Sequence, residues 1–354
     1  MVETARSEGR LLHRSLVTGG NGFIGQHLVA SLIKRGDHVR ILDLAPSRRA
    51  GRRAEFVQGS VLDEEIVWRA MHGIDRVYHL AAIAHLWAPQ RHEFDDVNAR
   101  GTEIVMATAK ERGVSRVLHC SSETVLLAGA RGQATIDEAA AATPEQAPGP
   151  YTRSKLLAER AARDAAERGL DVVIVNPTVP IGPNDFDFTP PAAMLAHFLT
   201  QPVHVYLNGM FNLVDVRDVA AGMLLALEGG RAGERYILGG ENVSLRQLLG
   251  SLDILCGRKR MKIGIPGPVA LLAASLCEWA ATCISHRRPV ATAEGVRLAL
   301  RSAALDDGKA RREFGYSSRP VKQALADFVA WFAAKDRSVA PALVKAGEPR
   351  HAAR

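Results

Sequence analysis

Tyr151 and Lys155 stand four residues apart in the stretch GPYTRSK, residues 149 to 155. Helical spacing puts both on one face, where the lysine ammonium can sit beneath the phenol. A free tyrosine titrates near about 10 and exchanges protons poorly at neutral pH; a neighbouring cation favours phenolate and draws that value down. The pair therefore reads as an acid-base device. A solvated lysine on a surface helix has the same spacing, so the surroundings decide.

The surroundings begin with LVTGGNGFIGQHL, where a short apolar run ends in a glycine-rich turn and opens a helix at Phe23. Gly19, Gly22 and Gly25 fit a GxxGxxG spacing, and Gly20, Gly22 and Gly25 fit GxGxxG; both bind pyrophosphate. Missing side chains let the backbone approach the phosphates, and amides at the helix N-terminus supply donors and positive dipole. Asp43 closes the second strand and is placed to accept hydrogen bonds from an adenosine ribose, which favours NAD over NADP. Arg48 and Arg49 lie just beyond and offer contacts to a 2′-phosphate, so NADP stays open. Asp63, followed by Glu64 and Glu65, reads as a helix N-cap with first-turn acids.

To hold these groups the chain alternates strands and helices. Strands are expected over 15–18, 39–43, 54–57, 77–82, 117–121 and 170–177, and helices over 23–34, 64–71, 94–112 and 155–168. This implies an α/β fold, a Rossmann doubly wound parallel sheet with helices on both faces and a smaller C-terminal substrate-binding region. The expected organisation is a loose extension over 1–14 and a dinucleotide-binding domain over 15–180, to which 211–228 returns. A substrate-binding region over 181–210 and 229–334 and a mobile tail over 335–354 complete it. Asp218 is the expected N-cap of the returning helix. Residues 266–284 are nearly long enough to span a bilayer but contain Glu278. Their apolar stripe (Leu272, Leu276, Trp279, Cys283) and polar stripe (Ser275, Glu278, Thr282) fit an amphipathic helix, either in the core of the small region or on a membrane surface.

Composition narrows the partners. The 354 residues carry a net charge of +7, but arginines are dispersed and aromatics are few, so no nucleic-acid partner is indicated. Cys120, Cys256, Cys277 and Cys283 show neither CxxC spacing nor nearby histidines, which argues against a disulfide framework or a zinc site. No apolar leader opens the sequence, and a cytoplasmic protein is expected, with membrane association through 266–284 as the variant.

TGGNGFIG, HLAA (79–82), VNARGT (97–102), HCSSETV (119–125), YTRSK and NPTVPIGP (176–183) occur in an order that resembles the extended short-chain dehydrogenases/reductases, over about 15 to 332. HLWAP (85–89), NLVDVRDVAAGMLLALE and ERYILGGENVSLRQLL are similar to the hopanoid-associated epimerase/dehydratase group, itself akin to 3β-hydroxysteroid dehydrogenases and dihydroflavonol reductases. The resemblance implies that Tyr151 is the general acid or base, that Lys155 lowers its pKa and bonds the nicotinamide ribose, and that Ser122 holds the substrate oxygen. It implies cofactor contacts from Phe23, Ile24, Ser60 and Val61, with Leu80, Ala81 and Ala82 under the cofactor. Asn98 would keep the site in shape, and Pro177 and Thr178 would contact the carboxamide. Homodimers are common in the superfamily. Two departures stand out: Ser60 replaces a frequent aspartate, and VLLAG replaces VYG, which reshapes the pocket wall near Leu126 and Leu127.

Asn176 and Val179 stand where nucleotide-sugar enzymes of the superfamily usually carry polar anchors, and the neighbours are apolar. An NAD(P)-dependent alcohol-ketone oxidoreductase with a large, weakly polar substrate is the leading expectation, sterol, hopanoid or polycyclic alcohol being the types. A nucleotide-sugar epimerase/dehydratase is the rival, and a dinucleotide sensor without turnover the third reading.

Overall fold

A computed structural model describes residues 13–46, 53–130 and 132–336. Most of the expected N-terminal extension, Arg48, Arg49, and the tail from 337 onward lie outside the described residues. Lys335, taken as the start of that tail, rests its ammonium 4.1 Å from the Phe186 ring centroid and 4.3 Å from that of Trp331.

Seven parallel strands form the central sheet. In space they run Arg235–Leu238, Val172–Pro177, Arg116–Cys120, Arg76–His79, Arg14–Thr18, His38–Asp43, Ala54–Gln58. The strands are Val, Ile and Leu runs because helices cover both faces. Val17, Ile41, Leu118, Val173 and Val175 meet Leu28 and Leu32 of the helix Phe23–Arg35 on one side, and Leu16, Val77, Val117 and Ile174 meet Val105 and Ala109 on the other. The first strand in the chain lies beside the fourth, so strand order reverses between Thr18 and His79; a crevice opens at the carboxyl ends there, the usual place for a ligand in such sheets.

A second apolar core joins Val179, Ile181, Leu195, Leu199 and Leu213 to Leu248, Leu252, Leu325 and Phe328. Its sheet is Glu241–Ser244, Met210–Asp215 and Val179–Ile181. From it the helix Val216–Gly229 returns to the first core through Val219, Met223 and Leu227. The cap of that helix is Asp215, whose carboxylate accepts from Arg217 N at 2.8 Å, and not Asp218. The strand runs up to Asp215, so the helix starts three residues earlier, and Asp218 instead holds Arg319. Asp63 caps its helix as expected, accepting from Ile66 N at 3.0 Å.

Two helices differ from expectation where function is concerned. The helix expected from 155 runs from Pro150 to Glu167, so Tyr151 and Lys155 both lie on it. The one expected over 94–112 contains a π-helical segment, Asp95–Arg100, which carries Asn98. The helix Gly267–Ala280 is not a core helix: its small residues Ala270 and Ala274 are buried, whereas Leu272, Leu276 and Trp279 face solvent.

Candidate active site

The crevice is one continuous cavity of about 1550 Å³, running from the glycine turn past Ser122 and Tyr151 to the second core. Pockets for single drug-sized ligands measure about 300–1000 Å³, so this space admits a dinucleotide and a further bulky molecule.

At its first end two glycines are required by contact. Gly19 has φ +69°, and a Cβ there would lie 2.7 Å from Ala81 N; a Cβ on Gly25 would lie 2.3 Å from Gly19 O. Both obstacles are backbone, so neither position tolerates a side chain. At Gly20 the nearest obstacle is the movable Ile41 side chain at 2.9 Å, with Val17 O farther off at 3.3 Å, a milder constraint that favours the GxxGxxG variant of the motif. Gly22 is the helix N-cap, and no side-chain hydrogen bond caps the amides that follow. Asp43 accepts from Leu44 N at 2.8 Å and from Asn21 N at 3.0 Å, the latter bond fixing the glycine turn to the second strand. Ser60 accepts from Leu62 N. Phe23, Ile24, Ser60, Val61, Leu80, Ala81, Ala82, Pro177 and Thr178 all line the cavity. The cradle closed to a Cβ, the bare helix terminus and the carboxylate on the next strand fit a dinucleotide.

At the middle stand Ser122 and Tyr151. Ser122 caps the helix Glu123–Ala128, accepting from Thr124 N at 3.3 Å and Thr124 Oγ1 at 3.1 Å. Ser121 turns away, donating to Glu159 at 2.5 Å. Asn176 donates to both Ser122 O and Glu159 at 3.0 Å, and Arg235 pairs with Glu159 at 3.1 Å, so a buried network fixes the backbone that presents Ser122. The Asn176 amide nitrogen is used there, and the residue does not line the cavity.

The Tyr151 phenol is buried. Desolvation pushes its pKa above the usual tyrosine range; a hydrogen bond with Ser122 opposes this, while Glu294 and Glu123 add to it. The expected pull from Lys155 does not dominate; the lysine ammonium donates to Cys120 O at 2.8 Å. Burial also holds the amine below the usual lysine range. Two neutral histidines lie near it. Burial, then the Lys155 charge, lowers His79 to about 3 and His119 well below its ordinary value. His79 is fixed by Thr18 at 2.7 Å and Thr102 at 2.9 Å.

Lys155 and Asn98 do not line the cavity. Asn98 sits behind the wall, its amide oxygen accepting from Ile83 N at 2.7 Å and its nitrogen donating to Ser154 Oγ at 2.9 Å. Leu127 lines the cavity, whereas Leu126, in the same apolar cluster with Ile136 and Ile237, is fully buried behind it.

Residues 15–239 match the NAD dependent epimerase/dehydratase family. The chain belongs to that family. It is 37% identical over 323 residues to a putative dihydroflavonol 4-reductase of Synechocystis sp., covering 89% of this chain and 93% of the relative. It is 34% identical over 325 residues to sterol demethylase protein B of Methylococcus capsulatus, covering 90% and 98%. Among solved structures it resembles DesIV, a dTDP-glucose 4,6-dehydratase from Streptomyces venezuelae with NAD bound, at 27% identity and a TM-score of 0.72 over 92% of this chain and 98% of the other.

Within this epimerase/dehydratase frame, two carboxylates were not foreseen. Glu294 caps the tyrosine helix from outside: it accepts from Tyr151 N at 3.1 Å and from Thr152 N and Oγ1, both at 2.7 Å. The local N-cap is Gly149, which has no side chain, so the orphan amides need a remote acceptor. That glycine was the signal available in the sequence. Glu123 lines the cavity beside Ser122, and burial pushes its carboxyl up to about 8. Nothing in its sequence neighbourhood distinguishes it from a helix-opening glutamate.

Proposed function

We propose that the chain is an NAD-dependent oxidoreductase interconverting a secondary alcohol and a ketone on a large apolar substrate of sterol, hopanoid or similar polycyclic type. The apolar wall of the cavity carries this reading. Leu86, Trp87, Phe188, Met194, Phe198 and Leu298 line the cavity, and Arg288 is the only arginine or lysine among its described lining residues. A sugar diphosphate calls for several charge-assisted donors, whereas a polycyclic hydrocarbon calls for such a wall. The relative named for sterol demethylation supports the same class. A molecule of that kind partitions into membranes, so contact of 266–284 with a bilayer belongs to the same reading.

The glycine cradle would hold the pyrophosphate and Asp43 the adenosine ribose, which favours NAD. When bound, the dinucleotide supplies the hydride exchange at the substrate carbon. The chain's own residues manage the oxygen. The Ser122 hydroxyl orients it and Tyr151 exchanges its proton. Burial holds the phenol neutral, the form that can donate a proton to a ketone oxygen. Oxidation needs the phenolate to form first. Lys155 and Asn98 act from behind the wall, fixing the backbone at Cys120 and Ile83.

A dehydratase reading has one observation in its favour, the Glu123 carboxyl, since elimination needs a second proton donor. NADH absorbance separates the two. Mixing the protein with NADH and ketosteroids, or NAD and hydroxysteroids, is expected to give a net absorbance change that Tyr151→Phe cuts by at least about 100-fold. Conversion of a nucleotide sugar with no net change in NADH would overturn the oxidoreductase reading.

A further inference from the structure

We propose that the face formed by 261–290 docks on the surface of an anionic phospholipid bilayer and that the apolar substrate enters the cavity from there. The inference extends the apolar-substrate reading.

The helix Gly267–Ala280, continued by a π-helical turn Ala281–Ser285, is apolar enough over 19 residues to cross a membrane, but its inner side is tied to the protein. Ala270, Ala274 and Ala281 are buried. Glu278 accepts from Ala293 N at 3.0 Å, and Trp87 Nε1 donates to Thr282 Oγ1 at 3.3 Å. These contacts hold the helix along the surface, so it lies on a bilayer and does not cross it. Its amphipathicity runs opposite to that of a core helix. Three alanines and the hydrogen-bonded Glu278 face inward, while Leu272 is 64%, Leu276 58%, Trp279 59% and Ile284 66% exposed.

Single exposed apolar residues are ordinary on a soluble protein, but a contiguous patch is not. More than half of the exposed large apolar side chains among the described residues fall between Met261 and Leu300. The charge on this stretch is mostly of one sign. From 254 to 292 Glu278 is the only acid, and it is turned inward, whereas Arg258, Lys259, Arg287 and Arg288 flank the helix on both sides. Lys262 is paired with Asp253. Arg258, Lys259, Arg287 and Arg288 are exposed. Apolar side chains including a tryptophan, bordered by cations, match the acyl boundary and the phosphates of an anionic leaflet. A second copy of this chain would bring the same cations face to face, which disfavours it as the occupant.

The patch also continues into the cavity. Val290 follows the helix and is 77% exposed, Val205 lies on the strand paired with Met261–Ile265 and is 51% exposed, and both line the cavity. A lipid-dissolved molecule can pass from the bilayer to the Tyr151 wall without crossing water.

Co-sedimentation of the full chain with phosphatidylcholine vesicles containing phosphatidylglycerol tests the proposal. Binding is expected, with tryptophan fluorescence quenched by brominated acyl chains. The triple variant Leu272→Ser/Leu276→Ser/Trp279→Ser is expected to weaken binding more than tenfold while keeping the wild-type melting profile. Leu276→Glu alone gives a second test that leaves Trp279 in place. Both variants should keep wild-type turnover of a water-soluble alcohol or ketone, so loss of vesicle binding is distinguishable from failure of the oxidoreductase reading. Absence of sedimentation with these vesicles overturns the proposal. So does a wild-type dimer in solution that the triple variant converts to monomer, because the face would then belong to a second copy.

Discussion

The two ends of the cavity are built from different material. The dinucleotide end is made of backbone: Gly19, Gly22 and Gly25, the amides after them, and Asp43 gripping the turn through the Asn21 N–H. It comes from one stretch of chain and its steric demands are absolute. The substrate end is made of side chains from Ile83 to Trp87, Phe186 to Phe211 and Arg288 to Leu305, segments far apart in sequence. Any apolar residue of suitable volume serves there. Backbone recognition leaves glycines at fixed spacing, while a side-chain wall leaves only a general apolar texture.

Substitutions sharpen that contrast. The largest effect is expected from Gly25→Ala, whose Cβ would meet Gly19 O at 2.3 Å. Dinucleotide affinity should fall at least about 100-fold by calorimetry, since the turn must open before the phosphates can approach. A milder loss that left NAD binding intact would show that the turn relaxes. Next comes Glu294→Ala, which leaves the amides of Tyr151 and Thr152 without their acceptor. Thermal unfolding should report a loss of about 1–2 kcal/mol, with kcat down about tenfold and NAD affinity unchanged. Unchanged kcat would mean that the cap holds the helix but not the phenol.

The smallest effect concerns pH. Glu123 is protonated below about 8 and ionised above it. Its negative charge then raises Tyr151 further and makes the phenol a weaker donor. Ketone reduction should therefore slow about fivefold as pH rises through that value, and Glu123→Gln should flatten this limb of the rate profile. A profile unaltered by the amide would remove Glu123 from proton handling.

The parallel sheet, the glycine turn and the helix bearing Tyr151 and Lys155 were legible because each depends on local spacing. Tertiary contacts hid the rest. Lys155 was expected to act on its neighbour Tyr151, but the carbonyl of Cys120 on the adjacent strand claims its ammonium. Asp218 had the residue type of a cap, yet Asp215 at the strand end took the position and Arg319 took Asp218. The apolar stripe of 266–284 was read correctly as a stripe, but period alone does not say which side faces the protein. Here Ala270, Ala274 and Ala281 provide the tighter fit.

The acceptor that terminates the tyrosine helix is borne by Ala293–Leu300, a helix whose preceding loop includes Arg288 and Val290 at the cavity mouth. Threshold and proton donor are thus rigidly joined. Prying the rim outward by an ångström or two would strip the phenol's helix of its anchoring oxygens, so admission and chemistry draw on the same short lever.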